Sequence, residues 1–116
     1  MVVIKENAMN YYKIKKQFES YGLEDGTYIL DSVGTSVMLN GGYQVSFEES
    51  NNQLDEQSFN EYANEYATYF KPFIGVWDNQ VELSFHIKDK DFALAMAKQF
   101  NQVAIWDWAN KKPIYL

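Results

Sequence analysis

The chain of 116 residues contains no cysteine and no arginine. Without cysteine it has neither disulfides nor thiolate metal ligands, which favours a reducing compartment for a domain of this size. All ten basic residues are lysines, so the guanidinium group that binds phosphate through two parallel hydrogen bonds is absent. Together with a net charge of -6, this composition argues against direct nucleic-acid binding, because phosphate neutralisation dominates such affinity.

The chain also lacks a long apolar run. No stretch approaches the roughly 18 residues of a membrane-spanning helix, so no membrane partner is expected. The apolar residues Val2–Ile4 are too few for the core of a signal peptide, and we therefore expect a cytoplasmic protein. If translation starts at Met9, residues 1–8 are a flexible N-terminal extension.

Length and composition predict one globular domain over residues 1–116. Hydrophobic residues make up 47% of the chain, close to the globular average, so disorder is not expected. A chain of this length buries enough surface to fold without a metal or a disulfide. Since only one histidine is present, zinc sites of the usual composition are nearly excluded, and no cofactor is expected.

Acidic residues are concentrated in the middle of the chain. Residues 17–70 contain no lysine and ten acids, namely Glu19, Glu24, Asp25, Asp31, Glu48, Glu49, Asp55, Glu56, Glu61 and Glu65. One interpretation is a solvated surface that aids solubility. The other is a surface that docks a basic partner, since complementary charge accelerates association and selects partners.

Apolar periodicity predicts three helices, over Asn7–Tyr21, Asp55–Phe70 and Asp91–Asn101. The second has the clearest apolar face, formed by Phe59, Tyr62, Ala63, Tyr66 and Phe70. Phe92, Ala93, Met96, Ala97 and Phe100 are predicted to form the inner face of the third. Asp89 or Asp91 is expected to cap this helix, because the calcium-loop pattern that they superficially suggest fails at Leu94.

Alternating apolar residues predict strands between the helices. Tyr28–Val33, Val37–Leu39 and Tyr43–Phe47 are interpreted as a three-stranded meander with a hairpin turn at Asn40–Gly42. Two later hairpins are predicted, one from Phe73–Trp77 and Val81–Ile87, the other from Val103–Trp108 and Pro113–Leu116. The expected fold is therefore an α+β domain with a mainly antiparallel sheet of about 5–7 strands, in the order α-βββ-α-ββ-α-ββ.

Three sets of side chains are candidates for chemistry or recognition. Ser84 and His86 share a strand face that is expected to face solvent, and their spacing of about 6–7 Å is too long for a nucleophile–base pair. The carboxylates of Asp78, Glu82 and Asp107 would support an enzyme only if they converged in a cleft. The three tryptophans, Trp77, Trp106 and Trp108, either close the core or contribute to a recognition surface.

The last part of the chain resembles known proteins. The sequence VELSFHI at 81–87, a helix with spaced alanines, and FNQVAIWD at 100–107 resemble small uncharacterised proteins of phages and prophages of Gram-positive bacteria. This resemblance covers about a third of the chain and includes no catalytic residue. Proteins of this size from such elements often act against host defences, and they include anti-CRISPR proteins that bind Cas nucleases. The resemblance therefore implies an anti-defence protein.

We expect a non-enzymatic acidic protein-binding module, and the resemblance implies an inhibitor of a host nucleic-acid-binding defence enzyme such as a CRISPR-Cas nuclease. The candidate partner-binding residues are acids and tryptophans: Glu48, Glu49, Asp55, Glu56, Glu61, Glu65, Trp77 and Trp106. The alternative is a small-molecule or peptide-binding domain that uses surface aromatics, namely Tyr62, Tyr69, Trp77 and Trp106. An aromatic-lined pocket would favour the alternative, and a flat or convex acidic face would favour the protein-binding module.

Overall fold

A single antiparallel sheet organises the fold. The computed structural model describes residues 8–47 and 54–116, and in this part of the chain six strands pair in the order β1-β3-β4-β2-β5-β6. The strands are β1 (Gly26–Tyr28), β2 (Tyr43–Ser46), β3 (Lys71–Trp77), β4 (Gln80–Ile87), β5 (Ala104–Asp107) and β6 (Lys112–Tyr115). The helices are α1 (Tyr11–Glu19), α2 (Glu56–Ala67) and α3 (Lys90–Gln99). The predicted α+β class and the predicted number of helices are confirmed.

The helices pack on one face of the sheet. Successive strand residues point to opposite faces, so Leu83, Phe85 and Ile87 of β4 all reach this helix-covered face, where they are buried. Phe59 of α2 packs in the core beneath α1 and α2, and Met96 of α3 packs in a second core beside it. β4 therefore contributes to both cores, with Leu83 and Phe85 in the first and Ile87 in the second.

Two helices begin at acidic capping residues. The side chain of Asp55 accepts a hydrogen bond from the backbone N–H of Ser58 at 2.8 Å, and Asp89 accepts one from Phe92 at 2.8 Å. Each carboxylate satisfies a backbone donor that has no partner within the first helical turn. The capping role predicted for Asp89 or Asp91 therefore belongs to Asp89.

All three helices are shorter than predicted. The second ends at Ala67 rather than at Phe70, because the backbone tightens into a turn in which the N–H of Thr68 bonds to the carbonyl of Glu65 at 3.2 Å. Phe70 still packs against the core from this turn. The spacing of apolar residues predicts which side chains are buried. Because burial continues to Phe70, beyond the last helical residue, the spacing predicts too long a helix.

The predicted three-stranded meander is wrong. β1 pairs with β3, and β2 lies between β4 and β5, so these two strands are not neighbours. Residues 37–39 form no strand; instead, the N–H of Val37 bonds to the carbonyl of Thr27 at 2.8 Å, which returns the loop to the edge of β1. The longer β3–β4 hairpin provides partners for both β1 and β2. In its central position β2 buries Val45, which is 1% exposed.

An asparagine ladder joins the start of α1 to α2. Asn64 accepts a hydrogen bond from the N–H of Met9 at 3.0 Å and donates one to the carbonyl of Met9 at 2.9 Å. One turn earlier, Asn60 accepts from the N–H of Tyr12 at 2.9 Å and donates to Asn10 at 2.8 Å. These bonds occupy one side of α2, and the opposite side of the helix is left facing solvent.

The second face of the sheet, which carries no helix among the described residues, has a buried polar chain. Trp108 Nε1 donates a hydrogen bond to Gln44 Oε1 at 3.1 Å, and Gln44 Nε2 donates to Ser84 Oγ at 2.9 Å. Ser84 is 2% exposed and Phe73, its cross-strand neighbour, is 3% exposed. The prediction that Ser84 lies on a solvent-exposed strand face is therefore wrong, because Trp108 and neighbouring side chains enclose this part of the face.

Among the described residues, no helix has the length and apolar character needed to span a bilayer.

Replacing Gln44 by alanine should destabilise the fold by about 1–3 kcal/mol, because the buried Trp108 Nε1 would lose its only described acceptor. Urea denaturation measures this loss. Gln80→Ala is the matched control, since Gln80 is exposed on the same face of β4, and it should change the free energy of unfolding by less than about 0.5 kcal/mol. Equal losses in the two variants would contradict a structural role for the polar chain.

Candidate binding surface on helix α2

The predicted acidic residues of α2 divide into two groups. Asp55 and Glu56 are used by the fold: Asp55 caps the helix, and Glu56 Oε1 accepts a hydrogen bond from Asn10 Nδ2 at 3.0 Å. Glu61 and Glu65 lie further along the helix and are exposed. Because residues four apart are neighbours on a helix surface, these two carboxylates lie together on the solvent-facing side.

Glu61 and Glu65 keep their negative charge uncompensated within the described chain. The ion pairs between described residues join Lys15 and Lys16 of α1 to Glu19. Glu61 accepts a hydrogen bond from Gln57 Nε2 at 3.1 Å, and this donor is neutral. Among residues 8–47 and 54–116, no lysine forms an ion pair with either glutamate.

Exposed aromatic rings surround these glutamates. Tyr62 is 50% exposed and Tyr69, in the turn after α2, is 75% exposed. Phe92, in the first turn of α3, is 50% exposed, so the prediction that it belongs to the inner face is wrong. Ala93 and Met96 occupy the centre of that inner face, and Phe92 falls at its margin because neighbouring helix residues are about 100° apart.

Two open grooves adjoin the aromatic rings, and both are lined by Tyr66. The first has a volume of about 320 Å³ and is lined by Phe47, Leu54, Tyr62, Tyr66, Gln99, Phe100 and Asn101. The second has a volume of about 520 Å³ and is lined by Glu65, Tyr66, Tyr69, Phe70 and Phe92. The first groove borders the residues on either side of segment 48–53, whereas the second is lined only by residues of α2, the following turn and α3.

The structure separates the predicted tryptophans from the predicted acids. Trp77 and Trp106 belong to the second face of the sheet, by their cross-strand pairing with Gln80 and Gln44. Trp77 is 63% exposed near the end of the β3–β4 hairpin, and Trp106 is half-buried against Trp108, with ring centroids 6.4 Å apart. The predicted set of site residues is therefore divided between two sides of the molecule.

Among the described residues, the other acids of 17–70 lie outside α2. Glu48 and Glu49 lie outside the described residues. Glu19 is ion-paired with lysines of its own helix, and Asp25 accepts a hydrogen bond from the backbone N–H of Asp78 at 2.9 Å. The candidate surface therefore consists of Glu61 and Glu65 with the exposed rings of Tyr62, Tyr69 and Phe92. We call these five residues the α2 surface.

Three of the residues considered for catalysis, Ser84, His86 and Asp107, have structural partners instead. Ser84 belongs to the buried polar chain, and His86 Nε2 donates to the carbonyl of Gly41 at 2.8 Å. Asp78 and Asp107 lie near opposite ends of the sheet, separated by the length of β4, which is about 23 Å at the usual rise per residue. Within the described part of the chain, no group of three histidine, aspartate or glutamate side chains is placed to hold a metal ion.

Asp107 stabilises the β5–β6 turn. Its carboxylate accepts hydrogen bonds from Asn110 Nδ2 at 2.7 Å and from the backbone N–H of Ala109 at 3.1 Å. The hydrogen bond from the Asn110 side chain is the main cause that lowers the pKa of Asp107 below its ordinary value, with help from the turn's N–H groups and from the charge of Lys112. The ionised carboxylate is the form that the folded turn prefers.

The Asp107→Asn variant should be less stable than the native chain at neutral pH, and this difference in stability should disappear in acid. A lowered folded-state pKa means that the ionised form contributes stability above the unfolded-state pKa of about 3.9, and that this contribution is lost as pH falls through the folded-state pKa. Urea denaturation at pH 7 and at pH 2.5 measures the difference between the native chain and the variant. Asp31→Asn, in an exposed loop, is the control. A deficit for Asp107→Asn that is as large in acid as at neutral pH would contradict the assignment.

Comparison with known proteins leaves the α2 surface as the basis for assigning a function. No family model, no curated protein and no solved structure matches the chain. The resemblance of its last part to phage proteins consequently has no support beyond the residues that suggested it.

Proposed function

We propose that this chain is a non-enzymatic protein-binding domain that docks a basic partner on the α2 surface. The observation that supports this proposal is the combination of uncompensated glutamates, Glu61 and Glu65, with the exposed rings of Tyr62 and Tyr69. The asparagine ladder and the apolar face fix the other sides of α2 to the domain, so this surface is presented on a rigid element.

Ion pairs and buried aromatic rings contribute different amounts to the free energy of binding, so the acids and the rings have different roles. An exposed ion pair contributes only about 0.2–1 kcal/mol, so two glutamates cannot supply a stable complex by themselves. Tyrosine is enriched among the interface residues whose truncation costs 2 kcal/mol or more, because its ring buries a large area. The rings therefore supply affinity, and the carboxylates accelerate encounter and select a basic surface.

The partner chemistry that fits is a lysine- and arginine-lined surface. We extend the proposal to a phosphate-binding groove of a cytoplasmic nucleic-acid-binding enzyme, as expected for an anti-defence protein of phage origin. Carboxylates one helical turn apart, at roughly 6 Å, offer such a groove acceptors that compete with phosphate oxygens. Only the pair Glu61 and Glu65 supports this competition in the described structure, because Asp55 and Glu56 are engaged in the fold.

The test is a charge reversal with a matched control. The partner would be captured from a bacterial lysate at low salt, identified by mass spectrometry, and purified for titration calorimetry. The double substitution Glu61→Lys and Glu65→Lys should weaken binding by about tenfold or more, because both attractive contacts become repulsive. Glu24→Lys with Asp31→Lys makes the same net-charge change in exposed loops and should weaken binding less than about threefold.

Additional measurements separate the parts of the proposal. Tyr62→Ser with Tyr69→Ser should mainly raise the dissociation rate, whereas the charge reversal should mainly lower the association rate. Duplex nucleic acid should compete with the domain for the purified partner. Equal effects of the two charge reversals would contradict docking on the α2 surface, and a ternary complex with nucleic acid would contradict only the choice of groove.

A further inference from the structure

The second groove, which we call the pocket from here on, lies where the end of α2 and its following turn meet the start of α3. Tyr66 belongs to the last turns of α2, Tyr69 and Phe70 to the turn that follows, and Phe92 to the first turn of α3. Glu65 completes the lining and is its only ionisable carboxylate. Four rings and one acid therefore line an open groove with a volume of about 520 Å³.

We propose that this pocket binds a quaternary ammonium group. Aromatic faces attract cations through the negative potential above the ring, and this attraction is the basis of known aromatic cages for choline and methylated lysine. The carboxylate of Glu65 adds a charge of the required sign, which a purely apolar ligand would not use.

Three of the rings that line the groove are inclined to one another. Phe70 and Phe92 have centroids 5.5 Å apart with planes inclined at 44°, and Tyr69 and Phe70 are 6.4 Å apart with planes inclined at 55°. Inclined rings do not cover each other as parallel rings do, so these contacts leave part of each face uncovered. Tyr66 is positioned by core packing, and its hydroxyl lies 3.5 Å from Gln99 Nε2.

The chain's own nearby cation is directed elsewhere. Lys71 directly follows Phe70, but its Nζ lies 5.5 Å from the ring centroid of Phe73, on the second face of the sheet. Glu65 has no described ion-pair partner. The pocket therefore combines a negative charge with rings that no lysine of the described chain occupies.

The pocket chemistry distinguishes a methylated ammonium from an unmethylated one. A primary ammonium is compact, strongly hydrated and carries three N–H donors that need acceptors when water is removed. Rings supply none, which leaves Glu65 and the tyrosine hydroxyls as the acceptors in the lining. A quaternary ammonium has no N–H donor, so it can contact the rings of Tyr69 and Phe92 without this penalty.

This inference deepens the proposed function, on which it rests for the source of the cation. A partner bound on the α2 surface could present a trimethylated lysine to the pocket, because Glu65 belongs to both sites. A free cation such as choline carries the same headgroup. The shared chemistry is therefore the quaternary ammonium, and separate probes distinguish its two sources.

The experiment is an NMR titration of the isotopically labelled chain with choline and with its neutral isostere, 3,3-dimethyl-1-butanol. Choline should cause saturable shifts in the millimolar range at residues 65–70 and 92. The isostere should bind at least about fivefold more weakly, because it retains the shape and lacks the charge. Equal affinities for the two probes, or shifts scattered over the surface, would overturn the proposal.

Variants provide the second arm of the test. Tyr69→Ala and Phe92→Leu replace exposed side chains, so the fold should survive, and each should weaken choline binding at least about fivefold. Glu65→Gln should weaken choline and leave the isostere unchanged. Trp77→Ala removes a ring of intermediate exposure, 63% against 75% for Tyr69 and 50% for Phe92, that lies outside the pocket, and it should leave the binding of both probes unchanged. Choline binding that is insensitive to Tyr69→Ala and Phe92→Leu would overturn the assignment.

A third arm separates this inference from the proposed function. A short peptide with trimethylated lysine should bind more tightly than its unmethylated form if a partner supplies the cation. Free choline binding with no preference between the peptides would support the pocket and assign it to a small molecule. Partner binding that depends on Glu61 and is unaffected by Phe92→Leu, without choline binding, would overturn the pocket and leave the proposed function standing.

Discussion

Burial of one side of β4 is the constraint on which the rest of the structure depends. Leu83, Phe85 and Ile87 are almost completely inaccessible, and each contributes about 1.5–3 kcal/mol of apolar burial. β4 reaches this state because β3 pairs along one of its edges and β2 along the other, which makes it central in the sheet. The helices then cover the face that these side chains form, and α2 is held with a fixed side toward solvent.

The sequence predicts those parts of the fold in which side-chain spacing and burial coincide. The strict alternation over 81–87 places β4, and the spacing of Phe59 and Ala63 places the inner face of α2. Strand pairing could not be derived in the same way, because a turn signal such as Asn40–Gly42 reports only local geometry. The β1–β3 pairing joins residues far apart in sequence, and its stability comes from the completed sheet.

The candidate site was predictable only in part. The charge imbalance of residues 17–70 indicates Glu61 and Glu65, but it includes Asp55 and Asp25, whose carboxylates satisfy backbone donors in the folded chain. The apolar side chain of Phe92 predicts a place on the inner face of α3, but its position at the margin of the apolar stripe leaves it 50% exposed. The indole N–H of the buried Trp108 donates to Gln44, which lies far away in the sequence, and no local sequence pattern predicts this contact.

Hydrogen–deuterium exchange on the complex with the captured partner tests the central claim most directly, because it compares the two sides of the molecule in one measurement. Docking on the α2 surface predicts slower exchange in residues 58–70 and near Phe92, with no change around Trp77 and Trp106. Protection confined to the β3–β4 hairpin and β5, with α2 exchanging as in the free chain, would contradict the account and identify the second face of the sheet as the interface.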